Sequence, residues 1–215
     1  MGHTFSYPDF IDTTLITGLI DTNENRRFLL SIPLSTEAKN SLLVILKNPS
    51  CATTNECDVT INRIVNYVTL NKTNPLLKEI DKIQIVNLFA YYETYSDSLK
   101  DVYKEFGEEF LVGNDNLSNN YEYFVELNND QIINEAIQNA SLIILSWGDS
   151  PKGIKPLYRK RVNQVKGFIK DLNMFDKVFY VNSISKDGNP KHAQIWGYSD
   201  KLIKYTDLWI NLISS

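Results

Sequence analysis

Five short stretches carry side chains whose types and placing could do chemistry: Asn48-Pro49-Ser50, Asp58 with Arg63, Asn87 with Phe89, Trp147-Gly148, and the run from Lys186 to His192. Proline fixes its own φ and biases the residue before it toward extended backbone, so Pro49 aims the Asn48 amide outward, where it could position a water or a base edge. The other reading of Asn48 and Ser50 is a turn that satisfies its own backbone. Asp58 stands either as a carboxylate for catalysis or as the N-cap of a following helix, ion-paired to Arg63. Asn87 can offer both a donor and an acceptor to a planar ligand edge, and Phe89 could stack on such a ligand, although aromatic rings at this spacing more often fill a core. Gly148, after Trp147, permits a tight turn or close backbone approach. Asp149 is open to roles as base, cap or solvated charge. His192 is the best single candidate for proton chemistry or for stabilising developing negative charge, and Lys186 lies in the same loop. Cys51 has no base near it in sequence and is a poor candidate nucleophile.

The basic residues are unevenly spread. From Pro151 to Lys170 the chain carries Lys152, Lys155, Arg159, Lys160, Arg161, Lys166 and Lys170 with no acid before Asp171, while the whole chain has a net charge of −4. Such a segment could follow the phosphates of DNA or of a nucleotide, or it could be a solvated helix face.

The elements that must position these residues follow from apolar patterning. Runs rich in β-branched residues at Phe28 to Ile32, Leu42 to Leu46, Ile83 to Phe89, Leu142 to Trp147 and Val178 to Ile184 have strand length. Helical spacing appears at Ile61, Ile64, Val65 and Val68, at Ile132, Ile133, Ala136 and Ile137, and at Val162, Val165, Phe168 and Ile169. A last helix is expected over Leu202, Ile203, Leu208, Trp209 and Leu212. Strands apolar throughout, alternating with amphipathic helices, predict an α/β fold: a three-layer α/β/α sandwich with a mostly parallel central sheet. Phe28 to Ile32 is the candidate for an antiparallel edge strand, because a short connection separates it from the next run. Open parallel sheets bind ligands beyond the carboxyl ends of their strands, which is where the polar stretches fall.

At 215 residues with 43% hydrophobic content, the chain suits a single domain spanning 1–215 with a sizeable core. Its apolar runs are too short to cross a bilayer, so a cytoplasmic protein with no membrane partner is expected. Cys51 and Cys57 lack the partners of a zinc site, and neither metal nor cofactor is called for.

The motif set resembles a family catalogued as domain of unknown function sixteen-forty-three, over about Arg27 to Trp196. The matching residues are Asn48-Pro49-Ser50, Asp58, Thr60 and Arg63, Asn87-Leu88-Phe89-Ala90, Trp147-Gly148, and Lys186-Asp187-Gly188 with Pro190 and His192. Where that family continues its histidine with proline, this chain has Ala193. The layout is also similar, more distantly, to the uracil-DNA glycosylase superfamily. That resemblance implies a flipped or free base stacked near Phe89 and read by Asn87, a water oriented by Asn48, and His192 stabilising charge on the leaving base. The basic segment would then hold phosphates. A noncatalytic module for a nucleotide or modified base, and a protein-interaction domain whose polar loops are only turns, are the competing readings.

Overall fold

The computed structural model describes residues 3–120 and 125–206. Its strands are β1 (Thr4–Phe5), β2 (Thr17–Asp21), β3 (Arg26–Pro33), β4 (Ser41–Leu46), β5 (Cys57–Asp58), β6 (Lys82–Asn87), β7 (Asn119–Asn120), β8 (Val125–Glu126), β9 (Leu142–Leu145), β10 (Val178–Val181) and β11 (Leu202–Lys204). The helices are α1 (Val59–Leu70), α2 (Pro75–Lys78), α3 (Leu99–Val112), α4 (Asn129–Asn139) and α5 (Lys155–Asp171).

Seven strands form one sheet in the order β11-β10-β9-β4-β6-β3-β2. The central four, β10, β9, β4 and β6, run parallel. Antiparallel strands flank them: β3 and β2 on one side and β11 on the other. The sheet is therefore mixed, whereas the sequence predicts a mostly parallel one. At the β2 and β3 edge the connections, residues 22–25 and 34–40, are too short for a crossover, whereas β11 turns back antiparallel after the longer segment 182–201. β3 is antiparallel as expected but is not an edge, because β2 pairs outside it.

Both faces of the parallel strands are apolar, and alternation along each strand divides the core in two. Leu42, Val44 and Leu46 point toward α1 and pack with Ile61, Ile64, Val65 and Val68. Leu43 and Ile45 point the other way, onto Ile133, Ala136 and Ile137 of α4 and Val162, Val165 and Ile169 of α5. Each such buried side chain contributes roughly 1.5–3 kcal/mol, which fixes the strand register, since a slip of one residue would exchange the faces. Leu202 and Ile203 lie in β11 rather than in a helix; the remainder of that expected helix falls outside the described residues. No described helix is long and apolar enough to cross a membrane.

The crossovers create a switch point. The chain leaves β4, passes through α1 and returns beside it as β6; it then crosses by way of α3 and α4 to β9, on the opposite side of β4. Loops at the carboxyl end of β4 consequently diverge and leave a crevice there.

Candidate functional site

A cleft of about 270 Å³ occupies that crevice, lined by Leu46, Lys47, Asn48 and Ser50 after β4, Thr60 on α1, Glu93, Thr94 and Ser96 after β6, and His192, Gln194 and Ile195 after β10. Asn48, Ser50 and His192, far apart in sequence, are thus brought together.

Its β4 wall is held by a web of local bonds. The Asn48 amide nitrogen donates to the carbonyls of Pro49 and Glu93, which fixes the side chain and leaves Oδ1 as its free hydrogen-bonding capacity toward the cleft. Asp58 is buried and fully engaged: it caps α1 by accepting from the Ile61 N–H at 2.9 Å, and it also accepts from the Ala52 N–H and the Ser50 hydroxyl. The expected carboxylate for catalysis is therefore committed to holding the loop. No Asp58–Arg63 ion pair occurs among the described residues; the Arg63 guanidinium lies over the Tyr198 ring at 4.6 Å.

The opposite wall is the loop after β10. His192 caps a short 3-10 turn, and its Nδ1 accepts the Gln194 N–H at 3.3 Å. A neutral ring bonded this way carries its proton on Nε2, the nitrogen then available as a donor. Burial, reinforced by the Lys47 ammonium and opposed by Asp58, lowers the His192 pKa from 6.5 to about 4, so the ring is neutral near pH 7. Burial likewise lowers the Lys47 ammonium from its ordinary value, against the opposing pull of Asp149 and Asp97. Gly148 makes room for the histidine: at φ +67° it favours glycine, and a Cβ there would meet the His192 Cβ at 3.1 Å. Its N–H donates to the Pro190 carbonyl and its carbonyl accepts the Tyr158 hydroxyl, tying the two loops together. Behind His192, the buried Trp196 indole donates to the Lys191 carbonyl and packs on Tyr67 with centroids 5.2 Å apart.

Asn87 stands apart from these satisfied groups. It is completely buried at the end of β6, paired in register with Leu46, and neither side-chain amide atom has a hydrogen-bond partner. Ile83 and Ile85 face α1 and Val86 faces away, so alternation returns Asn87 to the α1 side, the side on which Leu46 lines the cleft. Two unmade hydrogen bonds in the interior cost about 1–3 kcal/mol each.

Asn87 does not itself line the cleft, and the remaining sequence candidates also lie elsewhere. Phe89 and Trp147 are buried in the core between the sheet and α4/α5, the wrong face for stacking on a base in the cleft. Pro49 is buried behind the loop, and Lys186 is exposed outside the lining. Arg161, expected on the surface, is buried: Nε donates to the Leu88 carbonyl and Nη1 to Asp130 and Gln164, so it cannot reach a phosphate from this position. Lys152 pairs with Asp97, Lys155 with Asp187 and Lys160 with Glu108. Arg159 lines a separate groove. Sequence reasoning missed Lys47, Glu93, Thr94, Ser96 and Gln194; the polar run after β6 was the available signal. Among the described residues no group of three or more His, Cys, Asp or Glu is placed to hold a metal ion.

These features define an α/β protein with a polar cleft at the switch point of a mixed sheet. A family model described as "Protein of unknown function (DUF1643)" matches residues 27–193, and the chain belongs to that family. No curated protein and no solved structure matches it.

Proposed function

We propose that the chain recognises a nucleobase of a nucleic acid or nucleotide in this cleft and hydrolyses the bond between base and sugar. The observation that carries the reading is the convergence of Asn48 and His192 on one cleft, with the unpartnered Asn87 amide on the same side of the sheet. A planar base edge presents alternating donors and acceptors, the complement of an amide with both atoms unmet. The resemblance of the motif layout in sequence to the uracil-DNA glycosylase superfamily points the same way. Phe89 has no part in this version of the site, and Leu46 and Ile195 supply the apolar walls instead.

Chemically, Asn48 Oδ1 accepts a proton of water in a hydrogen bond and so turns a lone pair toward the sugar C1′. As the C1′–N bond breaks, its electron pair passes to the base. His192 donates from Nε2 to the charge developing on the base, and the Lys47 ammonium adds electrostatic stabilisation. Water oxygen bonds to C1′, and its proton is released as the base nitrogen is protonated. A neutral histidine suits this role because it donates a hydrogen bond without requiring acid.

The test is base release from single- and double-stranded oligonucleotides carrying uracil, mismatched and modified bases. His192→Ala should reduce release about 10²–10³-fold, the usual loss for one preorganised donor, and His192→Gln should recover part of it. Asn48→Ala should abolish most of the remainder, with thermal melting confirming that the fold persists. Binding without release from any substrate would replace the hydrolase with a noncatalytic base-binding module. Absence of both would leave the polar loops as turns of an interaction domain.

A further inference from the structure

A second concavity, of about 240 Å³, runs along α5. Lys155, Arg159, Val162, Asn163 and Lys166 occupy one stripe of that helix, and the Asp187-Gly188-Asn189 turn closes over it. Three cations and one carboxylate line it, an excess of positive charge on a chain whose net charge is −4. Asp187 is shared: it bonds the Lys155 ammonium at 3.0 Å, and the charges of Lys155 and Arg159 both hold its carboxyl below the ordinary value. Among the described residues nothing similar compensates Lys166. Its half-buried ammonium lies 5.7 Å from the centre of the Tyr205 ring, and burial alone lowers it from its ordinary value. Surface ion pairs elsewhere on this helix are closed, as in Lys160 with Glu108, whereas Arg159 and Lys166 have no carboxylate partner within ion-pair distance among the described residues.

The turn over the groove is built rather than loose. The Ser185 N–H donates to the Asn189 carbonyl, Gly188 N–H to the Ser185 carbonyl, and Asn189 Nδ2 to Asp149. Asn189 lines the groove and His192 lines the cleft, so the two are three residue steps apart along the chain. Their Cα atoms lie within roughly 11 Å, the reach of three extended residues, or about three base steps at 3.4 Å each.

We propose that the groove along α5 is a phosphate site, holding a phosphate of the same ligand whose base enters the cleft. This assignment of the ligand rests on the base-recognition reading, while the groove itself rests on its own charge and shape. It narrows the basic segment to Arg159 and Lys166 as the principal contacts, with Lys155 assisting, and removes Lys152, Lys160 and Arg161.

The measurement is fluorescence anisotropy of a labelled single-stranded oligonucleotide of about 15 nucleotides, titrated at several salt concentrations with the full chain. Arg159→Gln with Lys166→Gln should weaken binding about tenfold and reduce the salt slope by about 1.4, two contacts at about 0.7 each. Lys152→Gln with Lys160→Gln should leave affinity within about twofold. Asp187→Asn should strengthen binding about threefold, a gain that a folding defect would not imitate. Unlabelled oligonucleotide and nucleoside monophosphate are then compared as competitors. Equal potency per phosphate assigns the site to a free nucleotide, and strong preference for the oligonucleotide assigns it to a strand. Wild-type levels of binding in the Arg159/Lys166 variant, or an equal loss in the Lys152/Lys160 variant, would overturn the proposal. Base release run on the same proteins separates the two ideas: binding carried by Arg159 and Lys166 with no release from any substrate would sink the hydrolase and keep the groove.

Discussion

Arg161 and Asn87 are both completely buried polar residues, on opposite faces of one sheet, and their surroundings treat them differently. Arg161 reaches three acceptors through Nε and Nη1, the Leu88 carbonyl, Asp130 and Gln164, and leaves only Nη2 without a partner. That network joins α5, α4 and the end of β6, so the charge serves the architecture. Asn87 was given no acceptor and no donor. A protein interior tolerates an unmet amide only where something offsets its cost, and at the end of a parallel strand beside a cleft the natural partner is a ligand edge. Scaffold residues such as Arg161 and Trp147 each leave one buried atom unmet, whereas among the described residues Asn87 leaves both of its amide atoms unmet.

The contrast can be broken most decisively at Arg161. Arg161→Ala should cost about 3 kcal/mol, because Asp130 then loses its partner in a mostly buried setting, and chemical denaturation should show the midpoint falling accordingly. Asp58→Ala should cost about 2 kcal/mol through loss of the α1 cap and of the bonds from Ser50 and Ala52, with a matching loss in melting temperature. Asn87→Leu sharpens the comparison from the other side: stability should change by less than about 1 kcal/mol in either direction, while affinity for any base-bearing ligand collapses. Should Asn87→Leu instead destabilise as strongly as Arg161→Ala, the amide would be structural after all.

A pH-dependent effect concerns His192. Its folded pKa of about 4 lies below the ordinary 6.5, so the unfolded chain takes up the proton first as pH falls. Its contribution to stability is intact above pH 6.5, declines between 6.5 and 4, and levels off below. The urea midpoint of the wild type should therefore drop more steeply across that window than that of His192→Gln. Any cleft activity that depends on the neutral ring should persist to about pH 4 as far as this residue is concerned.

Much of the architecture was legible because the five central strands are continuous apolar runs and three of the helices repeat at helical spacing. β2 was not legible: Thr17-Gly18-Leu19-Ile20-Asp21 is a short edge strand with little to bury. α3 hid for a related reason, being mostly polar and interrupted at Gly107, whose φ of 86° breaks the helix. β11 was misread because Leu202 and Ile203 fit a helix as well as a strand when nothing but spacing is considered. Strand-end logic pointed to Asn48, Ser50 and His192, which line the cleft, and to Asn87, which does not, yet it could not resolve which face a side chain takes. Trp147 follows the alternation of Ile143 and Leu145 into the other core, and Phe89, past the end of β6, enters that core although alternation alone would have kept it on the side of Asn87; a polar or aromatic label carries no information about such a turn of the backbone. Asp58 shows the converse: it is buried outside the cleft lining, bonded to the lining Ser50, and its bonds reveal a cap.

The Trp196 indole, 1% exposed, bonds the carbonyl of the residue that precedes His192. An indole held so close to a ligand-facing side chain senses small changes in local field and packing. The chain thus carries its own optical gauge, and occupation of the cleft should register as a change in intrinsic fluorescence before any substrate has been identified or any label attached.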